Sequence, residues 1–193
     1  ITFIRQVETK GLGHAILRAK NFVGNEPFAV MYGDDVIIGE NPAIGELIES
    51  YGEYGKGVVG VKLVPETEIH KYGSLAVENI HDNIYKCTDM VEKPQTPEEV
   101  LSCYSILGRC VLPPEIFEIL ENTKPGKGGE IQLTDAMKEI ATTVGMTAVE
   151  YTGTRYDMGN KLGILQASIE VGINHPEVGE DFKKYLKEFA KTL

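Results

Sequence analysis

Tryptophan is absent from the 193 residues, histidine occurs four times and cysteine three times. Cys87, Cys103 and Cys110 are odd in number and fit no zinc spacing, so reduced thiols in a cytoplasmic protein are expected rather than a disulfide framework. His14, His70, His81 and His175 show no metal-ligand spacing, and no G-x-S-x-G nucleophile motif occurs. Positive charge is also short: 19 Lys and Arg face 29 Asp and Glu, a net charge of −10. Such a surface repels a phosphate backbone, which argues against nucleic acid as a partner. No apolar run approaches a membrane span and no basic-then-apolar leader opens the sequence, so no membrane partner is expected.

What is present is a core-forming composition, 42% hydrophobic and 25% charged, in a chain sized for a single domain over residues 1–193. The pattern alternates. Ile1–Gln6 reads as a strand, Gly13–Phe22 as a helix and Pro27–Tyr32 as a buried strand. Pro42–Tyr51 reads as an amphipathic helix and Val58–Val64 as a β-branched strand. This order predicts an α/β fold with a mixed, mostly parallel sheet flanked by helices. Tyr72–Glu78, Ile84–Val91 and Tyr104–Leu112 read as strands of an antiparallel or mixed insertion. Helices are expected at Pro114–Glu121, Thr134–Thr143, Leu162–Ile173 and Glu180–Leu193, with a strand at Met146–Thr152. The last helix carries an apolar stripe of Phe182, Leu186, Phe189 and Leu193, suited to packing on the body or on another copy in a homo-oligomer.

Five stretches carry chemistry. "KGLGHA" (Lys10–Ala15) offers glycines where backbone could approach a ligand, but Ile16 stands where a dinucleotide fingerprint needs glycine or alanine. Taken alone it reads as a tight turn. Asp34 and Asp35 follow an apolar strand, where ligands of open α/β sheets bind. Neighbouring strand residues point to opposite faces, so the two do not readily share one site. Magnesium needs only one or two protein carboxylates, and Asp157 in "TRYDMGNK" is a candidate second to Asp34; a turn is the plain alternative. Glu92 and Lys93 in "VEKP" form either a solvated strand edge or a sugar- and phosphate-binding pair. "GGEIQLTDA" reads locally as a helix start, with Thr134 as its N-cap.

Taken in order, "RQVETKGLGHAIL", "FAVMYGDD", "KYGSLAVE", "VEKP", "GGEIQLTDA" and "YDMGNKLGILQA" resemble the bacterial UTP–glucose-1-phosphate uridylyltransferase family. The resemblance runs from Arg5 nearly to the C-terminus. It implies a nucleotide-diphospho-sugar transferase fold and in-line uridylyl transfer from UTP to glucose 1-phosphate, yielding UDP-glucose and pyrophosphate. It further implies base contacts at Gln6 and Gly11, catalytic Mg²⁺ on Asp34 and Asp157, and a sugar pocket lined by Tyr72 and Gly73. Glu92 would take sugar hydroxyls and Lys93 the sugar phosphate, and Gly108 would leave room for the hexose. Asp35 keeps a supporting or turn role.

Two departures stand out. Where the family has "SNLA" or "SNYA" this sequence has "SCYS", with Cys103 and Ser105 at the Asn and Ala positions. The family's opening G-x-G-T-R-x-x-P loop and P-K-E segment have no counterpart, so an N-terminally truncated chain, inactive by itself, is expected. Nucleotidyl transfer from dTTP or CTP to a hexose 1-phosphate, a non-catalytic sugar-nucleotide-binding module, and a metal-dependent glycosyltransferase are the alternatives.

Overall fold

The computed structural model describes residues 1–193, apart from the side chain of Lys127. Residues 1–10 run without regular structure into two short helices, α1 (Leu12–Leu17) and α2 (Lys20–Val23). Then come β1 (Phe28–Met31), β2 (Asp35–Ile38), α3 (Ala43–Tyr54) and β3 (Gly57–Leu63). The central part is β4 (Gly73–His81), β5 (Ile84–Glu92) and β6 (Tyr104–Leu112). The chain finishes with α4 (Ile116–Asn122), α5 (Leu133–Thr143), β7 (Met146–Glu150), β8 (Thr154–Asp157), α6 (Lys161–Gly172) and α7 (Gly179–Ala190).

Six strands form one sheet in the order β1-β6-β3-β7-β5-β4, while β2 and β8 form a separate antiparallel pair. The sheet is mixed and flanked by helices, as expected, but the balance of directions differs from the expectation. Only β3 and β7 run parallel; the other pairings are antiparallel. The reason is local. Asp82 and Asn83 alone join β4 to β5, and a two-residue link can only reverse a strand.

Alternation along the strands divides the interior into two layers. Val59, Cys110, Leu112 and Ala148 face α4 and α5, in a core with Phe117, Leu120, Met137 and Ile140. Their neighbours Val58, Val111 and Val149 face the opposite way, onto Leu47 of α3. On α5 the residues Leu133, Ala136, Met137 and Ile140 recur at helical spacing and are all buried. Phe28 of β1 stacks on Phe117 of α4 with centroids 5.0 Å apart, fixing the outer strand to the helical layer.

Three expectations need correction. Ile1–Gln6 is not a strand: Ile1, Phe3 and Ile4 are exposed, and no sheet partner pairs with them among the described residues. β-branched residues favour a strand only where a pleated, half-buried surface exists to receive them. The helix foreseen over Gly13–Phe22 is divided by a tight turn in which the Ala19 N–H donates to the Ile16 carbonyl at 2.8 Å. β1 is a half-exposed strand bonded to β6 on one side rather than a fully buried one. No helix among the described residues is long and apolar enough to cross a membrane.

Candidate functional site

The site is assembled where the β2–β8 pair meets the end of the main sheet. Register places Asp35 opposite Asp157, and the Met158 N–H donates to the Asp34 carbonyl at 2.7 Å. All three carboxylates therefore gather at one corner, although Asp157 lies far along the chain from the others. Asp34 and Asp157 flank a single space beside Gly159. A Cβ built there would lie 3.0 Å from Asp157 Oδ1 and 3.3 Å from Asp34 Oδ2. The Gly159 N–H donates to Asp157 Oδ1 at 2.9 Å. Two hard carboxylate oxygens within reach of one point suit a small divalent cation that keeps water or phosphate as its remaining ligands. No group of three or more His, Cys, Asp or Glu suited to a metal occurs among the described residues.

Asp35 turns the other way. Its side chain is 8% exposed and accepts a hydrogen bond from Arg155 Nε. Burial pushes its carboxyl above the usual aspartate range. The hydrogen bond and charge of Arg155 oppose that shift, and the negative charges of Asp34 and Asp157 add to it. For Arg155, burial disfavours the charged guanidinium, yet the hydrogen bonds to Asp35 and Tyr72 raise its pKa overall. The Arg155 guanidinium also approaches Asp157 Oδ2 at 3.9 Å and lies 5.3 Å from the centroid of the Tyr72 ring.

Tyr72 belongs to the adjoining cleft, a space of about 170 Å³ lined by Leu12, Tyr32, Gly73, Glu92, Lys93 and Thr134 among others. Gly73 pairs with Glu92 across the β4–β5 ladder, so the "YG" and "EK" motifs meet by register. Thr134 donates from Oγ1 to Glu92 Oε2 at 2.7 Å, and Lys93 Nζ is 3.5 Å from Glu92 Oε1. Thr134 was expected as the N-cap of α5. That position is taken by Gln132, and the hydroxyl of Thr134 orients Glu92 instead. Lys93 has φ of +46°, left-handed for a residue that is not glycine and that precedes Pro94. Its N–H donates to the Tyr72 carbonyl at 3.1 Å, which holds this strained conformation in place.

Gly11 and Gly13 lie against the Glu130–Ile131 backbone. The Gly13 N–H donates to the Ile131 carbonyl at 3.0 Å, and a Cβ on Gly11 would meet Glu130 Cβ at 2.7 Å. Gln6 Nε2 donates to the Gly11 carbonyl at 3.2 Å and lies 2.9 Å from His14 Nδ1, so Gln6, Gly11 and His14 form one lip beside Leu12. The remaining expected residue, Gly108, does not line the cleft. Its φ is +74°, and a Cβ there would be 2.6 Å from Asp35 Cβ, so the space that its bareness leaves is filled by Asp35.

Sequence reasoning passed over Arg155 and Tyr32. The signal for Arg155 was present: it stands two residues before Asp157, on the same face of a strand. A larger cavity of about 410 Å³ opens beside α3, where Glu46 already accepts from the Thr152 N–H and hydroxyl and Ser50 Oγ pairs with Thr147 Oγ1. Glu46 and Ser50 are thus engaged by neighbours outside its lining, and the acidic corner and its cleft are the better site.

Comparison with known proteins shows the family and the fold. Residues 1–172 match the family described as "Nucleotidyl transferase". A UTP–glucose-1-phosphate uridylyltransferase of Staphylococcus epidermidis is 44% identical over 188 residues, covering 97% of this chain and 65% of that protein. One from Bacillus subtilis is 43% identical over 191 residues, covering 99% and 64%. The chain thus spans slightly under two thirds of the length of these relatives. Among solved structures, a UDP-glucose pyrophosphorylase complexed with UDP-glucose superposes with a TM-score of 0.86 at 39% identity, over 90% of this chain and 66% of that one. A UTP-bound enzyme from Acinetobacter baumannii gives 0.86 at 34%, over 96% and 64%.

Proposed function

The chain belongs to the nucleotidyl transferase family, and on that premise we propose that it serves uridylyl transfer from UTP to glucose 1-phosphate, giving UDP-glucose and pyrophosphate. The observation that carries this reading is the adjacency of two sites. An open pair of carboxylates, Asp34 and Asp157, stands beside a cleft holding Glu92, Lys93, Tyr72 and Gly73, with Arg155 touching both. The relatives named for this reaction, and the solved structures holding UDP-glucose or UTP, support it.

In this reading Glu92, fixed by Thr134, accepts hydrogen bonds from sugar hydroxyls. Lys93, aimed by its left-handed backbone, neutralises the sugar phosphate as a point charge. Gln6 and Gly11 form the lip that meets the base. Asp34 and Asp157 hold Mg²⁺, which when bound offsets the repulsion between the phosphates of the two substrates. The protein forms no covalent bond to substrate in this scheme; orientation and charge neutralisation carry the rate. The 193 residues contain no G-x-G-T-R-x-x-P loop, and turnover by this chain alone is expected to be slight or nil.

Calorimetric titration with UDP-glucose, with and without MgCl₂, tests the proposal. UDP-glucose binds in preference to the thymidine and cytidine analogues. Lys93→Ala weakens binding by roughly tenfold, a loss typical of one charge-assisted contact. Asp34→Asn removes the response to Mg²⁺. Equal binding of all three nucleotides, or none, overturns the reading.

A further inference from the structure

Three carboxylates share the acidic corner, but they are not equivalent. No side chain among the described residues donates to the Asp34 carboxylate. Asp157 spends Oδ1 on the Gly159 N–H and turns Oδ2 toward Arg155. Asp35 is locked: Arg155 Nε holds its Oδ1 and Gly108 closes its other side. The Arg155 side chain is 16% exposed, its guanidinium lying between Asp35, Asp157 and the Tyr72 ring. It is thus placed between protein groups, not extended toward a phosphate.

Three negative charges and one positive leave two uncompensated, which matches one divalent cation. Without Arg155, Asp35 would be a third free carboxylate, and a cation could settle between Asp35 and Asp157, away from the space beside Gly159. We propose that Arg155 is a positioning residue that cancels the charge of Asp35, confines a divalent cation to Asp34 and Asp157, and braces the Tyr72 ring of the neighbouring cleft. This rests on the reading of Asp34 and Asp157 as the cation site.

One partly buried guanidinium thereby couples the two halves of the site. A cation drawn toward Asp157 acts on the same group that Tyr72 lies against. An arginine suits the task better than a lysine, because its planar fork meets a carboxylate at its edge and an aromatic ring on its face at once.

Mn²⁺ binding to this chain, measured by electron paramagnetic resonance, together with UDP-glucose binding in the presence of EDTA, separates the possibilities. Arg155→Gln removes a positive charge beside the cation and frees Asp35, so Mn²⁺ binds roughly three- to tenfold tighter. UDP-glucose binds more weakly because Tyr72 has lost its support. A merely structural arginine would instead weaken both. Arg155→Lys keeps the charge, leaves Mn²⁺ affinity near that of the parent, and still weakens UDP-glucose. The double variant Asp35→Asn/Arg155→Gln removes both charges and returns Mn²⁺ affinity to about the parent value; it carries the test if the single variant does not fold. Unchanged or weaker Mn²⁺ binding in Arg155→Gln, or a double variant that departs widely from the parent, overturns the inference. Asp34→Asn and Asp157→Asn probe the underlying reading separately. If the parent binds no Mn²⁺, or these variants bind it as the parent does, the cation site itself is refuted and the role of Arg155 falls with it.

Discussion

A methyl group at position 108 would collide with the β-carbon of Asp35 at 2.6 Å, on a backbone whose φ of +74° suits only glycine well. Gly108→Ala is therefore expected to cost about 2–4 kcal/mol of stability, readable by urea unfolding. Gly24, at φ +69° with nothing near it, supplies the control: Ala there carries the conformational cost alone and loses less. The thiols give a second expectation at this scale. Burial pushes Cys87 and Cys110 up to about 12, while Cys103 is only half-buried. A thiol reagent at pH 8 should modify one cysteine in the native chain and all three after unfolding. Because the folded pKa values are raised, this contribution to stability is complete below the ordinary thiol value near 8.5 and is lost as pH rises toward about 12. Alkaline unfolding monitored across that interval should show the loss; a flat profile would contradict it.

At the scale of elements, α5 and α6 each bring their first turn to the site. Thr134, in the first turn of α5, is expected to matter to binding more than to folding. Thr134→Val leaves Glu92 without its donor and should weaken UDP-glucose by about tenfold with little change in melting temperature. Asn160 caps α6 by accepting from the Gly163 N–H at 2.7 Å, so Asn160→Ala should cost about 1 kcal/mol. Much of this was legible beforehand. Apolar periodicity located α3, α5 and the central strands, and the motifs pointed to Asp34, Asp157, Glu92 and Lys93 as candidate site residues. The β2–β8 pair was not legible, because four-residue strands are too short to show a period and their pairing depends on distant partners. Thr134 was misread because a threonine before an acidic residue has the composition of a cap. Only the approach of Glu92, 42 residues earlier in sequence, shows where its hydroxyl goes. Ile1–Gln6 failed for the opposite reason: its composition suits a strand, but no sheet edge meets it.

Across the whole molecule, protection from solvent is uneven. β3 and β7 lie inside the sheet with every interior valine of β3 fully buried, whereas residues 1–10 make few backbone bonds. Hydrogen exchange should be slowest in β3 and β7 and fast throughout residues 1–10; uniform rates would refute this. The acidic corner stands apart from both extremes. The groups that join across it, Asp35 and Arg155, are 120 residues apart in sequence, and only the four-residue ladder of β2 and β8 brings them together. Closing a loop of that length costs about 4 kcal/mol in chain entropy, and so short a ladder offsets it only after the main sheet and its helices have already drawn the two ends near. The carboxylate corner should accordingly be among the last parts of the protein to form. During synthesis, Asp34 and Asp35 emerge well before their partners, and the corner proposed here as a cation site is complete only once the chain has been made through Asp157.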